Sequence, residues 1–404
     1  MSLAPPAVDR RPRLLFVQPS LRPPGGGNGV GAWMLQALRD DYALDVLTWD
    51  GIDIDGLNRF FGTDLRPEDL HAIGISGPIR MIERLPTPSA LLKSSILLRR
   101  AHQISDRYVA AVSANNEADF GRPGIQYVHY PWSYRPRPAV DLRWYHQRTL
   151  LRGYYAIADR LSPFDLGRVK DNLTLVNSEW TGELVRQLYP GIETRVLHPP
   201  VAGRFPAVDW NEREDGVVVI GRISSEKRVD LSIEIVRRVR ERGYPLRLHV
   251  IGSPDHRATY RKVTSLIRRY SDWATLHEDI SRAELVALLS RQRYGLHAMA
   301  EEHYGMAVAE MVVAGLVAFV PDGGGQREIV DRLPDLLWRT PEEAVERFVA
   351  VLSDSDRRDR IRAALAARSP ELGSDHFVKR VREEVGAFLE ARSQSGVMRS
   401  SPPM

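Results

Sequence analysis

The sequence has 404 residues, more than one domain usually contains, so two domains are expected. It has no cysteine, which excludes disulfides and thiolate metal sites and suits a reducing compartment. Its 56 basic and 52 acidic side chains are interleaved, which is untypical of a nucleic-acid-binding stripe. Because no long apolar run or signal core occurs, we expect a cytoplasmic protein, or one peripheral on the inner face of the cell membrane.

The first 200 residues alternate between short apolar runs and amphipathic segments. Such alternation predicts a parallel sheet flanked by helices, and we assign residues 1–200 to a first α/β domain. A helix is expected over 29–39, and Ser178 suits an N-cap that follows a strand. Strands are expected at 13–18, 43–49, 108–113, 125–129 and 173–177.

A glycine-rich loop, RPPGGGNGVG, follows the first predicted strand. Gly26, Gly27 and Asn28 are candidate ligand contacts because glycine permits close backbone approach and the next helix presents its N-terminus. A dinucleotide loop is the alternative. The spacing does not give GxGxxG cleanly, and Asp50 is a weak candidate for the acid that would bind the ribose of such a cofactor.

Three further features of the chain have weaker signals. His129, at the end of an apolar strand, is either a cleft residue or a hydrogen-bonded structural histidine, and the residues alone favour the latter. Two Asp-x-Asp strings, at 53–55 and 354–356, match a metal-binding pattern by chance, so no metal is predicted. The basic, leucine-rich segment 89–105 suits either an interfacial membrane helix, supported by Arg, Trp and Tyr residues over 135–155, or a core helix with a basic outer face.

Residues 201–215 are rich in proline and charge and predict a linker to a second α/β domain over 216–372. That domain starts with a buried strand, a turn and an amphipathic helix ending at Gly243. Gly221, Arg222 and Lys227 fall in the turn. A turn at the carboxyl edge of a parallel sheet is where α/β folds bind ligands, and two cations there suit two phosphates.

Two glutamates flank a predicted helix start further along the second domain. The loop Glu302-His303-Tyr304-Gly305 enters a helix at Met306, and the helix N-terminus would hold an anionic diphosphate near 304–307. Glu310 lies about one turn inside that helix. Carboxylates accept hydrogen bonds from hydroxyl pairs, so one would hold a sugar and the other a ribose. A solvated helix with scattered acids is the alternative.

Together these segments resemble retaining glycosyltransferases of the GT-B fold, family 4. The matching residues belong to a Gly-Arg turn, a lysine five residues later, two glutamates eight residues apart and small-residue turns: Gly221, Arg222, Lys227, Glu302, Glu310, and residues 314–315 and 323–325. Arg228 departs from the family, in which many members carry glycine. The motifs YVHYP and LHPPV are most similar to the mannosyltransferases that extend lipid-linked oligosaccharides on the cytosolic face of the membrane.

The resemblance implies an α/β, GT-B architecture of two Rossmann-like, doubly wound domains facing across a cleft. A helix over 373–392 would cross back to the first domain, and 393–404 would be a disordered tail. The implied reaction is retaining and metal-independent, without a cofactor. It moves a sugar, with mannose favoured, from a GDP- or UDP-linked donor to a hydroxyl of a glycan, a lipid-linked saccharide or a small molecule.

The resemblance also implies roles for individual residues. Arg222 and Lys227 would take the charge that grows on the diphosphate, aided by the helix N-terminus. Glu302 would orient the sugar and Glu310 the ribose, while His129 would touch the sugar near the reacting carbon. Two alternatives stay open, a GT-B nucleotide-sugar epimerase and a non-enzymatic nucleic-acid-binding protein.

Overall fold

The computed structural model of the protein describes residues 10–23, 25–49, 51–75, 90–131 and 164–394. Within these ranges the chain forms two parallel sheets. The weak ribose-binding candidate Asp50, the segment 135–155 and most of the expected tail lie outside the described residues.

The first sheet has seven strands in the order β3-β2-β1-β4-β5-β6-β7, and every pairing is parallel. The order reverses between β1 and β4, so the carboxyl ends of these neighbours form a switch point, where doubly wound sheets bind ligands. The strands are β1 Arg13–Val17, β2 Ala43–Thr48, β3 Leu70–Gly74, β4 Ala110–Ser113, β5 Ile125–Val128, β6 Leu173–Val176 and β7 Thr194–Val196.

The second sheet has six parallel strands in the order β10-β9-β8-β11-β12-β13. Its switch point lies between β8 and β11. Continuous apolar runs such as Val217–Val219 are buried because helices cover both faces. The strands are β8 Glu214–Ile220, β9 Arg247–Ile251, β10 Ala274–His277, β11 Gln292–Leu296, β12 Val317–Pro321 and β13 Leu337–Trp338.

Helices connect the strands in both domains. Many begin at a side-chain cap, including Ser178, whose hydroxyl accepts from the backbone N–H of Thr181 and confirms the predicted N-cap. The helices of the first domain are α1 Gly26–Leu38, α2 Ile54–Phe61, α3 Ala90–Ile104, α4 Leu166–Lys170 and α5 Glu179–Leu188. Those that follow are α6 Val229–Glu241, α7 Arg257–Arg269, α8 Arg282–Arg291, α9 Met306–Val313, α10 Gln326–Ile329, α11 Pro341–Ser353, α12 Ser355–Arg368 and α13 Ser374–Gln394.

The last helix, α13, lies against the first domain. Its residues Phe377, Val381 and Val385 are buried in the same cluster as apolar residues of β1 and α1. The chain crosses between the domains twice, and the two crossings lie side by side, since the N–H of Val201 donates to the Leu372 carbonyl at 2.9 Å. The domains are therefore joined by a paired connection beside the cleft.

Helix α3 uses its described apolar side chains for the core of the first domain. Ile96 and Leu97 are buried, while Arg99 and Arg100 are exposed. This arrangement matches the core-helix alternative for the described part of the segment. Among the residues that the structure describes, no helix is both long enough and apolar enough to cross a bilayer.

Candidate functional site

Both predicted segments of the second domain leave neighbouring strands at the switch point. Gly221 directly follows β8, and the loop that contains Glu302 follows β11, which pairs with β8. Because parallel strands end at the same edge of a sheet, the cationic turn and the acidic loop meet there. The topology thus brings together residues that are 75 positions apart in the sequence.

Lys227 and Glu302 form a direct ion pair between the turn and the loop. Nε2 of His297, a buried residue just after β11, lies 3.1 Å from the same carboxylate oxygen. Burial alone would raise the pKa of Glu302, but the hydrogen bond from His297 and the charge of Lys227 outweigh it and hold the pKa far below its ordinary value. Glu302 is therefore ionised at neutral pH.

Two left-handed backbone positions shape these segments. Arg228, the N-cap of α6, has φ of 48°, and Gly305, the N-cap of α9, has φ of 111°. Glycine adopts such values without strain, whereas arginine carries a steric cost. The conformation explains why glycine suits the position of Arg228, so this departure from the family pattern leaves the geometry of the turn unchanged.

The glycine stretch 323–325 packs against the backbone of the acidic loop. A Cβ on Gly324 would lie 2.3 Å from the Glu302 carbonyl oxygen, and one on Gly325 would lie 2.3 Å from that of His303. The N–H of Gly325 donates to the Glu302 carbonyl at 2.8 Å. Glycines are needed here because the stretch 323–325 contacts the backbone of the acidic loop directly. The stretch thereby supports the loop from behind.

Arg222 is held by acids other than Glu302. Its guanidinium donates to Asp255 at 2.5 Å and to Glu226 at 3.3 Å, and its side chain is 59% exposed. Gly221 lies against the lysine instead, since a Cβ on it would be 3.6 Å from the Lys227 side chain. Lys227 is therefore the cation of this turn that pairs with the acidic loop.

Glu310 forms an ion pair with Arg282 at the start of α8. Burial raises the pKa of Glu310, and the charge and hydrogen bond of Arg282 oppose that effect. Arg282 also donates to the Ala202 carbonyl in the connection between the domains, at 2.7 Å. Glu310 is thus a buried acid whose partner contacts both the second domain and the linker.

A cavity of about 890 Å³ lies between the two domains at Glu310. Three residues of the predicted site, Gly26, Met306 and Glu310, line it together with Arg282 and Ile280 of the second domain. The first domain contributes mostly apolar residues, namely Pro23, Val30, Trp33, Phe60 and Phe61. The cavity is large enough for a nucleoside-sized ligand, and its charged lining residues are Arg59 of the first domain and Arg282 and Glu310 of the second.

Gly27 and His129 lie next to each other in the first domain. A Cβ on Gly27 would be 3.2 Å from Nε2 of His129, and that Nε2 donates to the Ala114 carbonyl at 2.9 Å. Burial and, to a smaller extent, nearby His303 lower the pKa of His129 to about 4, although the hydrogen bond to the Ala114 carbonyl acts to raise it. The imidazole is therefore neutral at physiological pH, with Nδ1 as a hydrogen-bond acceptor.

Two predicted contacts use their side chains within the protein. Nδ2 of Asn28 donates to the Arg22 carbonyl at 2.7 Å, and its Oδ1 accepts from Gln18 at 3.3 Å, so this amide fastens the glycine loop. Tyr304 is only 3% exposed, and its ring lies 5.4 Å from that of His198. Because the Tyr304 ring is part of the core, only the backbone of this residue, which belongs to the loop, is available for the predicted ligand contact.

His303 faces the first domain. Its ring stacks on Tyr130 with centroids 4.1 Å apart, and its carbonyl accepts from the Ser178 hydroxyl at 2.7 Å. The acidic loop is therefore in direct contact with the first domain.

The Asp-x-Asp strings have structural roles at helix starts. Asp53 caps α2 by accepting from Gly56, and Asp354 caps α12 by accepting from Arg357. Among the described residues there is no cluster of three or more His, Asp or Glu side chains that would hold a metal ion.

Three residues of this region were not predicted from the sequence, namely His297, Arg282 and Glu328. His297 had a usable signal, since it directly follows a buried strand at the switch point. Arg282 and Glu328 lie in the first turns of helices and are indistinguishable there from surface charges. Only the packing of the two domains reveals what their side chains contact.

Comparison with known families identifies the second domain. Residues 204–367 match the protein family described as Glycosyl transferases group 1. The second domain is a glycosyltransferase group 1 domain. Its boundaries agree with the crossings at Val201 and Leu372, where the chain leaves and re-enters the neighbourhood of the first domain.

Curated relatives carry one recurrent name. A protein of Candida glabrata named GDP-Man:Man(3)GlcNAc(2)-PP-Dol alpha-1,2-mannosyltransferase is 24% identical over 239 residues, covering 51% of this chain and 44% of the relative. Its namesake from Dictyostelium discoideum is 24% identical over 254 residues, covering 56% and 50%. The chain spans about half the length of the curated relatives that it matches.

Solved structures show that the fold is GT-B. Sucrose-phosphate synthase from Thermosynechococcus elongatus superposes with a TM-score of 0.65 at 15% identity, covering 94% of this chain and all of the other. Anabaena HepE, solved in complex with UDP-glucose, gives 0.63 at 14% identity, covering 93% and 100%. The group 1 domain thus sits in a two-domain architecture shared along nearly the whole chain.

Proposed function

We propose that the protein is a retaining, metal-independent glycosyltransferase that takes its sugar from a nucleotide diphosphate donor. The observation that carries this proposal is the ion pair of Lys227 and Glu302 beside the N-terminus of α9. A cation, a helix N-terminus and an ionised acid are the groups that a departing diphosphate and a sugar with several hydroxyls require.

In the proposed reaction the diphosphate leaves the anomeric carbon with the bonding electrons. Lys227 and the N–H groups at the N-terminus of α9, which have no partner within that helix, stabilise the charge that develops on the phosphate oxygens. Arg222, at the same sheet edge, contributes by exchanging its bonds to Asp255 and Glu226 for bonds to the phosphates. Since these groups supply the positive charge, the proposed reaction needs no metal ion and no cofactor.

The acceptor hydroxyl attacks the face of the sugar that the diphosphate leaves, and its proton passes to the departing phosphate oxygen. Configuration is thereby retained. Glu302 accepts hydrogen bonds from sugar hydroxyls. From the first domain, neutral His129 offers its Nδ1 as an acceptor to a sugar hydroxyl. Gly26 and Gly27 let the loop after β1 approach the phosphates.

The nucleoside of the donor fits the cavity beside Glu310. In this arrangement Glu310 accepts from the two ribose hydroxyls, and the base lies along Ile280 and Met306. The names of the relatives point to GDP-mannose as the donor and to a lipid-linked oligosaccharide as the acceptor. With such an acceptor, the reaction would take place at a membrane surface, peripheral on its cytosolic face.

The decisive experiment incubates the purified protein with GDP-mannose or UDP-glucose and a lipid-linked saccharide. Release of the nucleoside diphosphate that depends on acceptor, together with a product whose anomeric configuration matches the donor by NMR, is the expected result. Unchanged rates in EDTA are expected for a metal-independent enzyme. A product of inverted configuration, or nucleotide-sugar conversion without any acceptor, would exclude this proposal.

No specific observation favours the other two candidate functions. The family description and the names of the relatives are those of transferases, which leaves the epimerase alternative unsupported. Several arginines on α6 pair with carboxylates, including Arg237 with Glu234 and Arg238 with Glu342. Paired charges of this kind do not provide the free basic surface that nucleic-acid binding requires.

A further inference from the structure

The acidic loop of the second domain is clamped onto the first domain by stacked rings. The imidazole of His303 is nearly parallel to the rings of Tyr130 and Trp180, at 13° to each, with centroids 4.1 Å and 5.9 Å away. Tyr130 follows β5 and Trp180 lies in the first turn of α5. One residue away from Glu302, the loop is therefore fixed by aromatic contacts that exist only when the domains face each other.

A hydrogen bond joins the same two places. The Ser178 hydroxyl, which caps α5, donates to the His303 carbonyl at 2.7 Å. Gly325 leaves no room for a side chain here, since a Cβ on it would be 2.6 Å from the Cβ of Ser178. The start of α5 thus touches both the acidic loop and the glycine stretch behind it.

Glu328 completes this contact from the second domain. Its carboxylate accepts from the backbone N–H groups of Glu179, at 2.9 Å, and Trp180, at 3.1 Å, at the start of α5. These N–H groups have no partner within their own helix, and the positive end of α5 favours the anionic side chain. The Glu328 side chain is only 9% exposed, so water does not substitute readily for either bond.

His198, which follows β7 of the first domain, fixes the Glu328 carboxylate from the other side. Its Nε2 lies 3.2 Å from Glu328, and its Nδ1 accepts from Arg368 at 3.4 Å. A ring that accepts at Nδ1 carries its proton at Nε2, which is the atom that donates to Glu328. Glu328 is consequently held in one orientation while it caps a helix of the other domain.

We propose that Glu328 is a positioning residue for the proposed transfer. It docks α5 of the first domain onto the second and thereby fixes the His303 side of the acidic loop. This inference rests on the proposed function. The polar groups assigned to the donor's nucleotide, Lys227 and Glu310, lie on the second domain, and the first domain adds the apolar side of the nucleoside cavity. Loss of the clamp should therefore lower turnover much more than it weakens nucleotide binding, because the first domain is no longer held over the sugar.

The experiment compares Glu328→Ala and Glu328→Gln with wild type and with Glu342→Ala, which removes an exposed acid of the same domain. In Glu328→Ala we expect faster hydrogen exchange at the amides of Glu179 and Trp180. We also expect kcat to fall about 10- to 100-fold while the Kd for GDP rises at most about threefold. Glu328→Gln, which keeps one acceptor oxygen, should recover part of both losses, and Glu342→Ala should match wild type.

Unchanged exchange at residues 179 and 180 in Glu328→Ala would overturn the inference, as would a loss of GDP affinity equal to the loss of kcat. If Glu328→Ala does not fold, His303→Ala tests the same clamp and should give the same pattern, a large loss of kcat with a small loss of GDP affinity. If wild type transfers no sugar, the proposed function fails, and the exchange measurement, which needs no substrate, still decides whether Glu328 docks α5.

Discussion

The ammonium group of Lys227 bonds the carboxylate of Glu302, and this pair joins the turn after β8 to the loop after β11. A lysine and a glutamate that neutralise each other add little stability at a surface. Here the glutamate is buried and also bonded by His297, so its charge is fixed in place. The pair therefore holds a cation and an acid ready at the point where the proposed chemistry separates charge.

Replacement of Lys227 tests that role. We expect Lys227→Ala to lower kcat/KM by about 10²- to 10³-fold, the range seen when one preorganised charge-stabilising group is removed. The protein should still fold, with a lower Tm because Glu302 loses one of its two partners. Transfer rates and thermal unfolding measure the two effects separately.

Lys262→Ala is the matched control, since Lys262 pairs with Asp230 on the surface of the same domain. It should retain the transfer rate and Tm of wild type. Equal losses of transfer rate in the two variants would show that Lys227 acts only through the overall positive charge of the domain. Near-normal turnover of Lys227→Ala would remove Lys227 from the mechanism.

Glu310 provides a test of the nucleoside site. We expect Glu310→Ala to weaken GDP binding about 10- to 100-fold, because hydrogen bonds between ribose hydroxyls and a charged acceptor contribute about 1.5 to 3 kcal/mol. Calorimetric titration with GDP measures this change. Glu234→Ala, which removes an acid paired with Arg237 on α6, should bind GDP as wild type does. Equal affinity for GDP in wild type and Glu310→Ala would move the nucleoside out of this cavity.

Much of the two-sheet architecture follows from the sequence because buried parallel strands form uninterrupted apolar runs. The strand predicted at 13–18 is observed at Arg13–Val17, and the other four strands predicted in the first domain are also right to within two residues. Strands β3, β7, β12 and β13 were missed. β3 has exposed residues along its length and β13 has only two residues, so neither forms an apolar run.

The site itself is predicted less completely than the fold. Lys227 and Glu302 were identified because each follows a strand, and the switch point brings such residues together. Contacts between the domains are not encoded in any local pattern. Glu328 stands within a short polar helix, and its role as a cap of α5 depends on how two separate sheets pack.

Substitution of two neighbouring glycines, Gly26 and Gly27, distinguishes access for a ligand from packing inside the protein. A Cβ on Gly26 would meet no atom within 4 Å, although the residue lines the cavity. Both Gly26 and Gly27 lie in the first turn of α1, where alanine is favoured over glycine by about 0.5 to 1 kcal/mol. Gly26→Ala should therefore raise Tm slightly and weaken binding of GDP-mannose, because the added methyl group occupies the approach of the phosphates.

Gly27→Ala should behave differently, since its Cβ would press on Nε2 of His129 at 3.2 Å. We expect no gain in Tm from this variant. Thermal unfolding with and without GDP-mannose distinguishes the two. A Gly26→Ala protein that binds the donor as tightly as wild type would show that the loop does not approach the phosphates.

The pH dependence of stability tests the environment of His129. Its pKa of about 4 in the folded protein is below the 6.5 of an exposed histidine, mainly because of burial. Between these values the unfolded chain binds more protons, so His129 makes stability rise with pH from 4 to 6.5 and adds no change above that.

From pH 7.5 to pH 5, wild type should lose about 2 kcal/mol more unfolding free energy than His129→Gln, which does not titrate. His249 and His277, whose pKa values are also lowered by burial, are present in both proteins and cancel in this comparison. Denaturant titrations at the two pH values measure the difference, and identical losses in both proteins would mean that His129 titrates as an exposed residue and is open to water.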